Sequence, residues 1–225
     1  MKIAIIPARG NSKRIKSKNI KFFFGKPIIR ITYEILKKTK IFDRIILSTE
    51  DEKISKICRN FGFTDIIKRP LKLATDHAST VDVIRHAIKI LEKKNKISSV
   101  CCVYPCNPFL KKKTLLKAYS LLKDRKDFIF PIMNFPVPIQ QALKIKNNTL
   151  SYLTPNFSKI GTQKFKKSFY DAGQFYLGTR YSWTNNSKII KGIILPKYSS
   201  IDIDDNEDWL FSKSLYKLFK NEKKL

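Results

Sequence analysis

Nearly continuous apolar runs alternate with amphipathic segments along the first half of the chain. The run from Lys2 to Pro7 is typical of a strand that is covered on both faces of a sheet. Similar runs predict strands at 44–48, 65–68 and 99–104, and the segments between them carry apolar residues at helical spacing. Successive strand–helix–strand units are joined by right-handed crossovers, so the pattern predicts an α/β fold with a mainly parallel sheet and helices on both sides.

In the second half of the chain, short β-like runs are separated by polar loops. The interval from about 130 to 170 interrupts the alternation, and we interpret it as a subdomain insert or dimerisation arm within a single domain of residues 1–225. Thr49 and Glu52 predict a capping box for the second helix. A last strand is predicted at 200–204, ahead of an amphipathic terminal helix.

The composition fits one soluble globular domain. The chain has 225 residues, 43% of them hydrophobic, which is enough for a sizeable core. No stretch approaches the roughly 18 apolar residues that span a bilayer, and the N-terminal residues lack the pattern of a cleaved leader. The four cysteines form no CxxC pair, which favours free thiols over a zinc site. We therefore expect a cytoplasmic protein without a membrane partner.

Charge is the most unusual feature of the composition. The 46 Lys and Arg residues outnumber 18 Asp and Glu residues, which gives a net charge of +28. This balance is typical of proteins that bind nucleic acid, anionic membranes or phosphorylated small molecules. Most of the basic residues are lysines spread over the whole length, which favours a solvated surface. A basic nucleic-acid-binding protein is the alternative from a different class, although no RNP, KH or zinc-finger signature supports it.

The segment after the first strand is the first candidate site, because parallel sheets bind ligands beyond the carboxyl ends of their strands. There ARGNSKR, residues 8–14, combines a glycine and small polar residues with Arg9, Lys13 and Arg14. Backbone NH groups and cations together replace the hydration that a phosphate loses on binding. The spacing is not that of a P-loop, and a basic surface loop is the competing interpretation.

Asp202 and Asp204 in SIDIDD are the second candidate. On a strand, side chains two residues apart share a face, so both carboxylates would point the same way. Mg²⁺ is commonly held by one or two carboxylates together with substrate phosphate oxygens. The pair therefore predicts a Mg²⁺ site, and helix capping by Asp204 or Asp205 is the competing interpretation.

Two further groups of residues carry weaker signals. In segment 69–84, Arg69 could meet an anion, and Ser79 or Thr80 at a helix N-terminus offers hydroxyl and NH donors. The segments YPCNPF, PIQQALK and YDAGQFYLG combine aromatic, amide and glycine residues. That combination suits a sugar or base pocket, but it is also typical of a β-sheet core.

Taken together, these segments resemble the CMP-sugar-acid synthetases. The likeness is carried by IAIIPARGNSKR, STEDEKI, LATDHASTVDVI, CCVYPCNPF, FYDAGQFYLG and IDIDDNEDW, in the family's order from about residue 3 to 209. Within the family, DHASTVDVI, YPCNPF and YDAGQFY resemble the branch that activates pseudaminic acid, a nine-carbon sialic-acid-like sugar. Asn11 and Lys16 depart from the family pattern, in which Gly and Pro are more common. Asn tolerates the left-handed backbone region, so the loop can still close.

The resemblance implies a three-layer, Rossmann-like nucleotidyltransferase with a small dimerisation arm, working as a homodimer. It also implies transfer of CMP from CTP to the anomeric hydroxyl of a nonulosonic acid, with Mg²⁺ as cofactor and pyrophosphate as the second product. No nucleic-acid partner is expected. The nucleotide-binding residues it implies are Ala8, Arg9, Lys13, Asn19, Arg69 and Thr80. The sugar-binding residues it implies are Tyr104, Asn107, Gln174 and Tyr176.

By the same resemblance, Asp202 and Asp204 would hold the metal, and Arg9, Lys13 and Asp202 would act in catalysis. A relative that acts on N-acetylneuraminic, legionaminic or 3-deoxy-octulosonic acid would share this chemistry and differ only in the sugar pocket. The choice among these sugar acids therefore stays open at the level of sequence.

Overall fold

The computed structural model describes residues 1–153, 163, 165–185 and 188–222. Within them the strands are β1 (Lys2–Pro7), β2 (Phe22–Phe23), β3 (Lys26–Pro27), β4 (Arg44–Thr49), β5 (Asp65–Lys68), β6 (Ser99–Val103), β7 (Asp127–Asn134), β8 (Leu143–Lys146), β9 (Thr149–Tyr152), β10 (Phe169–Asp171), β11 (Phe175–Thr179) and β12 (Ile189–Ile194). The α-helices are α1 (Ile28–Thr39), α2 (Glu52–Arg59), α3 (Thr80–Leu91), α4 (Lys112–Leu121), α5 (Arg180–Thr184) and α6 (Asn206–Asn221). Short 3₁₀ helices lie at Lys18–Ile20, Leu71–Leu73 and Ile139–Gln141.

The central sheet has the strand order β10–β7–β11–β6–β1–β4–β5, and β12 is added on β7. Strands β6, β1, β4 and β5 are mutually parallel, and β12 is parallel to β7. Strands β10 and β11 run antiparallel to their neighbours. The α/β fold with a mainly parallel sheet, expected from the alternating pattern, is therefore confirmed.

Both faces of the sheet are buried, which explains why the strands read as continuous apolar runs. Along β1, Ile3 and Ile5 pack in one apolar cluster with residues of α3 and α5. Ala4 and Ile6, which alternate with them, pack in a second cluster with residues of α1, α2 and α4. Helices on opposite faces of one sheet make the three-layer arrangement.

A third, smaller apolar cluster joins distant parts of the chain near the end of the sheet. It consists of Ile15, Phe23, Ile28, Ile203 and Trp209, all of which are buried. Ile15 directly follows the basic segment of residues 8–14, whereas Ile203 stands between Asp202 and Asp204 ahead of α6. The cluster therefore holds the basic segment against the segment that carries Asp202 and Asp204, and we call it the anchoring cluster.

Two local predictions are wrong. The helix α2 is capped by Asp51, whose side chain accepts a hydrogen bond from the Ile54 NH at 2.8 Å. Thr49 is the last residue of β4, and its hydroxyl accepts from the Asp51 NH instead. The segment 200–204 forms no strand. Side chains, rather than a neighbouring strand, form the hydrogen bonds at its ends. The Ser200 hydroxyl, for example, donates to the Ala172 carbonyl.

The interval interpreted as an insert contains the end of β7, a 3₁₀ turn and the hairpin β8–β9, whose residues are exposed. Residues 154–162 and 164 of that interval lie outside the described part of the chain. No helix in the described ranges is long and apolar enough to cross a bilayer.

Candidate active site

A cavity of about 370 Å³ opens beyond the carboxyl ends of the parallel strands. Arg9 follows β1, Arg69 follows β5 and Tyr104 follows β6, and all three line it. Asp202 and Asp204, ahead of α6, complete the wall. The cavity thus lies where open α/β sheets bind their ligands.

Most of the residues expected from the sequence line this one cavity. They are Arg9, Lys13, Asn19, Arg69, Thr80, Tyr104, Asp202 and Asp204. The others are close in the chain but are not among its lining residues: Ala8, Asn107, Gln174 and Tyr176. Ala8 is fully buried, and its NH donates to the Ser48 carbonyl at 2.9 Å, which fixes the start of the basic segment against β4.

The basic segment is held by side chains from other parts of the chain, among them those of Asp76 and Asn19. Arg9 Nη1 and Lys13 Nζ each lie 2.6 Å from a carboxylate oxygen of Asp76, on the loop before α3. Lys13 and then Arg9 lower the pKa of Asp76, because both favour the ionised carboxylate. Asn19 Nδ2 donates to the Arg9 carbonyl at 2.8 Å and so closes the segment on itself.

The two aspartates differ in their surroundings. Burial, followed by the charge of Asp204, raises the pKa of Asp202. Asp204 is paired with Arg14, whose Nη2 lies 2.9 Å away, and Lys18 Nζ stands 3.4 Å from its other oxygen. Lys18 also donates to the Ile203 carbonyl at 2.6 Å, which holds the backbone between the two aspartates.

This donor set fits a Mg²⁺ ion shared with a phosphate ligand. Two carboxylates line the same cavity, and the charge of one raises the pKa of the other, so a cation near both would offset their repulsion. No group of three or more His, Cys, Asp or Glu side chains suited to a metal occurs among the described residues. Magnesium commonly takes only one or two protein carboxylates and completes its shell with water and phosphate oxygens.

Glu50 connects the basic segment to Arg69. Its Oε1 accepts from the Gly10 NH at 2.7 Å, and its Oε2 accepts from Arg69 Nε at 2.8 Å. Only 10% of the Glu50 side chain and 4% of the Arg69 side chain are exposed. Arg69 Nη2 is buried and has no hydrogen-bond partner among the described residues, which leaves it for a ligand in the cavity.

Tyr104 forms the wall on the other side of the basic segment. Its hydroxyl is 3.1 Å from Thr80 Oγ1, and its ring packs edge-on against Tyr176. Burial raises the pKa of Tyr104, so the phenol stays a neutral hydrogen-bonding group. Behind this wall, Asn107 Nδ2 donates to the Gln174 carbonyl and Gln174 Nε2 donates to the Ser199 carbonyl.

Comparison with known proteins identifies the family. The model of a family described as "Cytidylyltransferase" matches residues 3–167. The pseudaminic acid cytidylyltransferase of Campylobacter jejuni serotype O:2 is 37% identical over 223 residues, which cover 96% of each chain. This chain belongs to the cytidylyltransferase family.

Two further comparisons agree with this assignment. The CMP-N,N'-diacetyllegionaminic acid synthase of Legionella pneumophila is 27% identical to this chain over 226 residues, which cover 96% of each chain. A solved CMP:2-keto-3-deoxy-manno-octonic acid synthetase complexed with CTP has a TM-score of 0.69, with 96% of this chain and 98% of that chain covered. Its sequence is 14% identical, so this likeness shows the fold alone.

Three residues in or beside the cavity were not among the residues expected from the sequence. Asp76 and Glu50 lie within segments that resemble the family and Lys18 follows one of them, but nothing in the spacing pairs Asp76 with Arg9 or Lys18 with Asp204. Glu50 directly follows β4, and its position at the carboxyl end of a parallel strand was the available signal.

Proposed function

We propose that this chain transfers CMP from CTP to the anomeric hydroxyl of pseudaminic acid and releases pyrophosphate. The observation that carries the proposal is the single cavity in which Arg9, Lys13 and Arg69 meet Asp202 and Asp204. Cations for a phosphate chain and carboxylates for a divalent ion are the two requirements of phosphoryl transfer. The choice of pseudaminic acid is supported by the name of the Campylobacter jejuni relative.

In this proposal the nucleotide lies along the basic segment. Arg69 Nη2, Asn19 and Thr80 bind the nucleoside and its nearest phosphate, and the NH groups after Ala8 approach the phosphate chain. Arg9 and Lys13 neutralise charge that develops on the leaving pyrophosphate. Catalysis then rests mainly on positioning and on preorganised charge, as in other phosphoryl transfers.

The anomeric oxygen attacks the α-phosphorus, and the bond from the α-phosphorus to the oxygen of the β-phosphate breaks. The hydroxyl proton passes to a carboxylate oxygen of Asp202, which we assign as the general base. Asp202 and Asp204 would hold Mg²⁺, which when bound supplies further neutralisation of the phosphate charge.

The sugar acid is proposed to lie against Tyr104. The hydroxyl pair of Tyr104 and Thr80 offers polar contacts to the sugar, and Tyr176 supports the Tyr104 ring. Asn107 and Gln174 complete the proposed sugar-binding set. Through their backbone-bonded amides, these two residues hold the segment that carries Tyr104.

Pyrophosphate release, measured with CTP, Mg²⁺ and a series of sugar acids, tests the proposal. We expect release with pseudaminic acid and much slower release with N-acetylneuraminic, legionaminic and 3-deoxy-octulosonic acids. Release with one of the other acids alone would correct the substrate and keep the reaction. If the folded protein released none with any acid, the reaction would be refuted, and a salt-titrated nucleic-acid binding assay would test the alternative class.

Paired variants separate the site from its surroundings. Lys13→Ala should lose activity. Lys16→Ala should keep it, because Lys16 is an exposed lysine just beyond the basic segment and outside the cavity lining. Asp202→Asn should lose activity with a thermal midpoint no lower than the parent's, and exposed Glu207→Gln should keep the parent's activity. Equal activities within either pair would contradict the assignment.

We further propose that the chain is one domain of residues 1–225 whose interval of about 130–170 forms a dimerisation arm. In support, the hairpin β8–β9 exposes Leu143, Ile145 and Leu150 at 53%, 67% and 62%. Contiguous exposed apolar side chains of this kind are typical of protein interfaces. In sedimentation experiments, Ile145→Lys should convert a dimer to a monomer, whereas Leu210→Lys on exposed α6 should not. A parent mass equal to the monomer would refute the arm.

A further inference from the structure

The carboxylate of Asp76 lies between the two cations that the proposed function assigns to the phosphate chain. Its Oδ1 is 2.6 Å from Arg9 Nη1, and its Oδ2 is 2.6 Å from Lys13 Nζ. Asp76 stands on the loop before α3 and also lines the cavity. Each of its oxygens therefore takes a place beside a cation that a phosphate oxygen would take.

A phosphate chain and Asp76 cannot both hold these cations without placing like charges together. The contact is well suited to exchange, because the side chains of Arg9, Lys13 and Asp76 are 39%, 68% and 46% exposed. Exposed ion pairs of this kind are weak, so a polyanion with several charges can replace the carboxylate.

We propose that Asp76 is an internal counter-ion that holds Arg9 and Lys13 between turnovers and gives way to the phosphate chain of CTP. The inference rests on the proposed function. After the bond to the α-phosphorus breaks, pyrophosphate is left on the same two cations. The return of Asp76 to them competes with the product and speeds its release, so the residue adjusts how tightly the site holds polyphosphates.

The test compares variants that change charge equally at different places. Asp76→Asn keeps the shape of the side chain and removes its charge. Glu92→Gln removes the charge of another exposed ion pair, with Arg180, at the far end of α3 from the cavity. Asp76→Glu restores a carboxylate. Binding of inorganic pyrophosphate and of CTP is measured by titration calorimetry without Mg²⁺, and product inhibition is measured in the steady state.

We expect Asp76→Asn to bind pyrophosphate about 3- to 10-fold more tightly than the parent and to be inhibited by it at lower concentration. Glu92→Gln should stay within about twofold of the parent, since its pair is remote and exposed, and Asp76→Glu should approach the parent. The increase in affinity is a readout that a merely structural residue would not produce. Unchanged or weaker binding by Asp76→Asn, with the parent's thermal midpoint, would overturn the inference.

Two further measurements distinguish failure of the inference from failure of the proposed phosphate site. A loss of affinity in Asp76→Asn that occurs only with Mg²⁺ present would make Asp76 a metal ligand and overturn its counter-ion role. If Lys13→Ala does not weaken CTP or pyrophosphate binding, the proposed phosphate site is wrong and the inference falls with it. If Lys13→Ala weakens binding but Asp76→Asn does not strengthen it, the inference alone is wrong.

Discussion

Burial should decide how much each of two glutamates, two residues apart, contributes to the stability of the fold. Glu50 and Glu52 each form an ion pair, with Arg69 at 2.8 Å and with Lys68 at 3.0 Å. The Glu50 and Arg69 side chains are 10% and 4% exposed, whereas those of Glu52 and Lys68 are 70% and 76% exposed. Removing one partner of a buried pair leaves an uncompensated charge, whereas an exposed pair is replaced by water.

The perturbation is Glu50→Gln, with Glu52→Gln as its matched control. Both oxygens of Glu50 accept hydrogen bonds, from the Gly10 NH and from Arg69 Nε, so a glutamine must turn its NH₂ towards one of these donors. Together with the unpaired Arg69 charge, this should cost about 3 kcal/mol of unfolding free energy. For a chain of this size that corresponds to a fall of about 6–12 °C in the thermal midpoint. Glu52→Gln should leave the midpoint unchanged.

Differential scanning calorimetry measures the thermal midpoints of both variants, and CTP titrations measure their affinity for the nucleotide. Glu50→Gln should also weaken CTP binding, because Arg69 and Gly10 lose their common partner. The double variant Glu50→Leu with Arg69→Met should recover part of the lost stability, since neither charge is then buried alone. Equal midpoints for Glu50→Gln and Glu52→Gln, or a double variant as unstable as the sum of its parts, would refute the reasoning.

Three other substitutions have outcomes that the structure determines. Gly10→Ala should weaken CTP binding and cost about 1 kcal/mol in a urea titration, because its Cβ would lie 2.1 Å from Oδ2 of the helix cap Asp51. Ile203→Ala should cost about 2–4 kcal/mol in the same assay, since Ile203 is 1% exposed within the anchoring cluster. Burial, then the charges of Lys72 and Arg69, lowers the pKa of His86, so its contribution to stability is present above pH 6.5 and is lost as the pH falls through its folded-state pKa. Urea unfolding at pH 7.5 and 5.5 should show a smaller difference for His86→Gln, and an equal difference would contradict this.

The layered fold could be predicted from the sequence because its signals are local. Every residue from Ile3 to Ile6 is buried, and alternate residues serve opposite faces of the sheet, so β1 reads as an uninterrupted apolar run. The wrong predictions have non-local causes. Thr49 could cap a helix only if β4 ended before it, and the segment 200–204 could pair as a strand only if a neighbour lay beside it.

The site was predictable segment by segment, but its internal pairing was not. The basic segment and the aspartate pair were each visible from residue types and spacing. Two contacts depend on how the loops pack: the contact of Asp76 with Arg9 and Lys13, and the contact of Lys18 with the Ile203 carbonyl across 185 positions of sequence. Loop packing of this kind leaves no periodic signal, so only the three-dimensional structure shows it.

The anchoring cluster gives the proposed polyphosphate site a fixed geometry within a very basic chain. Lysines are spread over the whole surface, whereas Arg14 and Lys18 are held beside the aspartate pair by their contacts with Asp204. Ile15 and Ile203 bury the backbone on either side of these groups in one apolar cluster with Trp209. Because preorganised charges bind without the cost of being ordered, cations held in this way should bind a metal-bound phosphate chain better than lysines that no carboxylate holds.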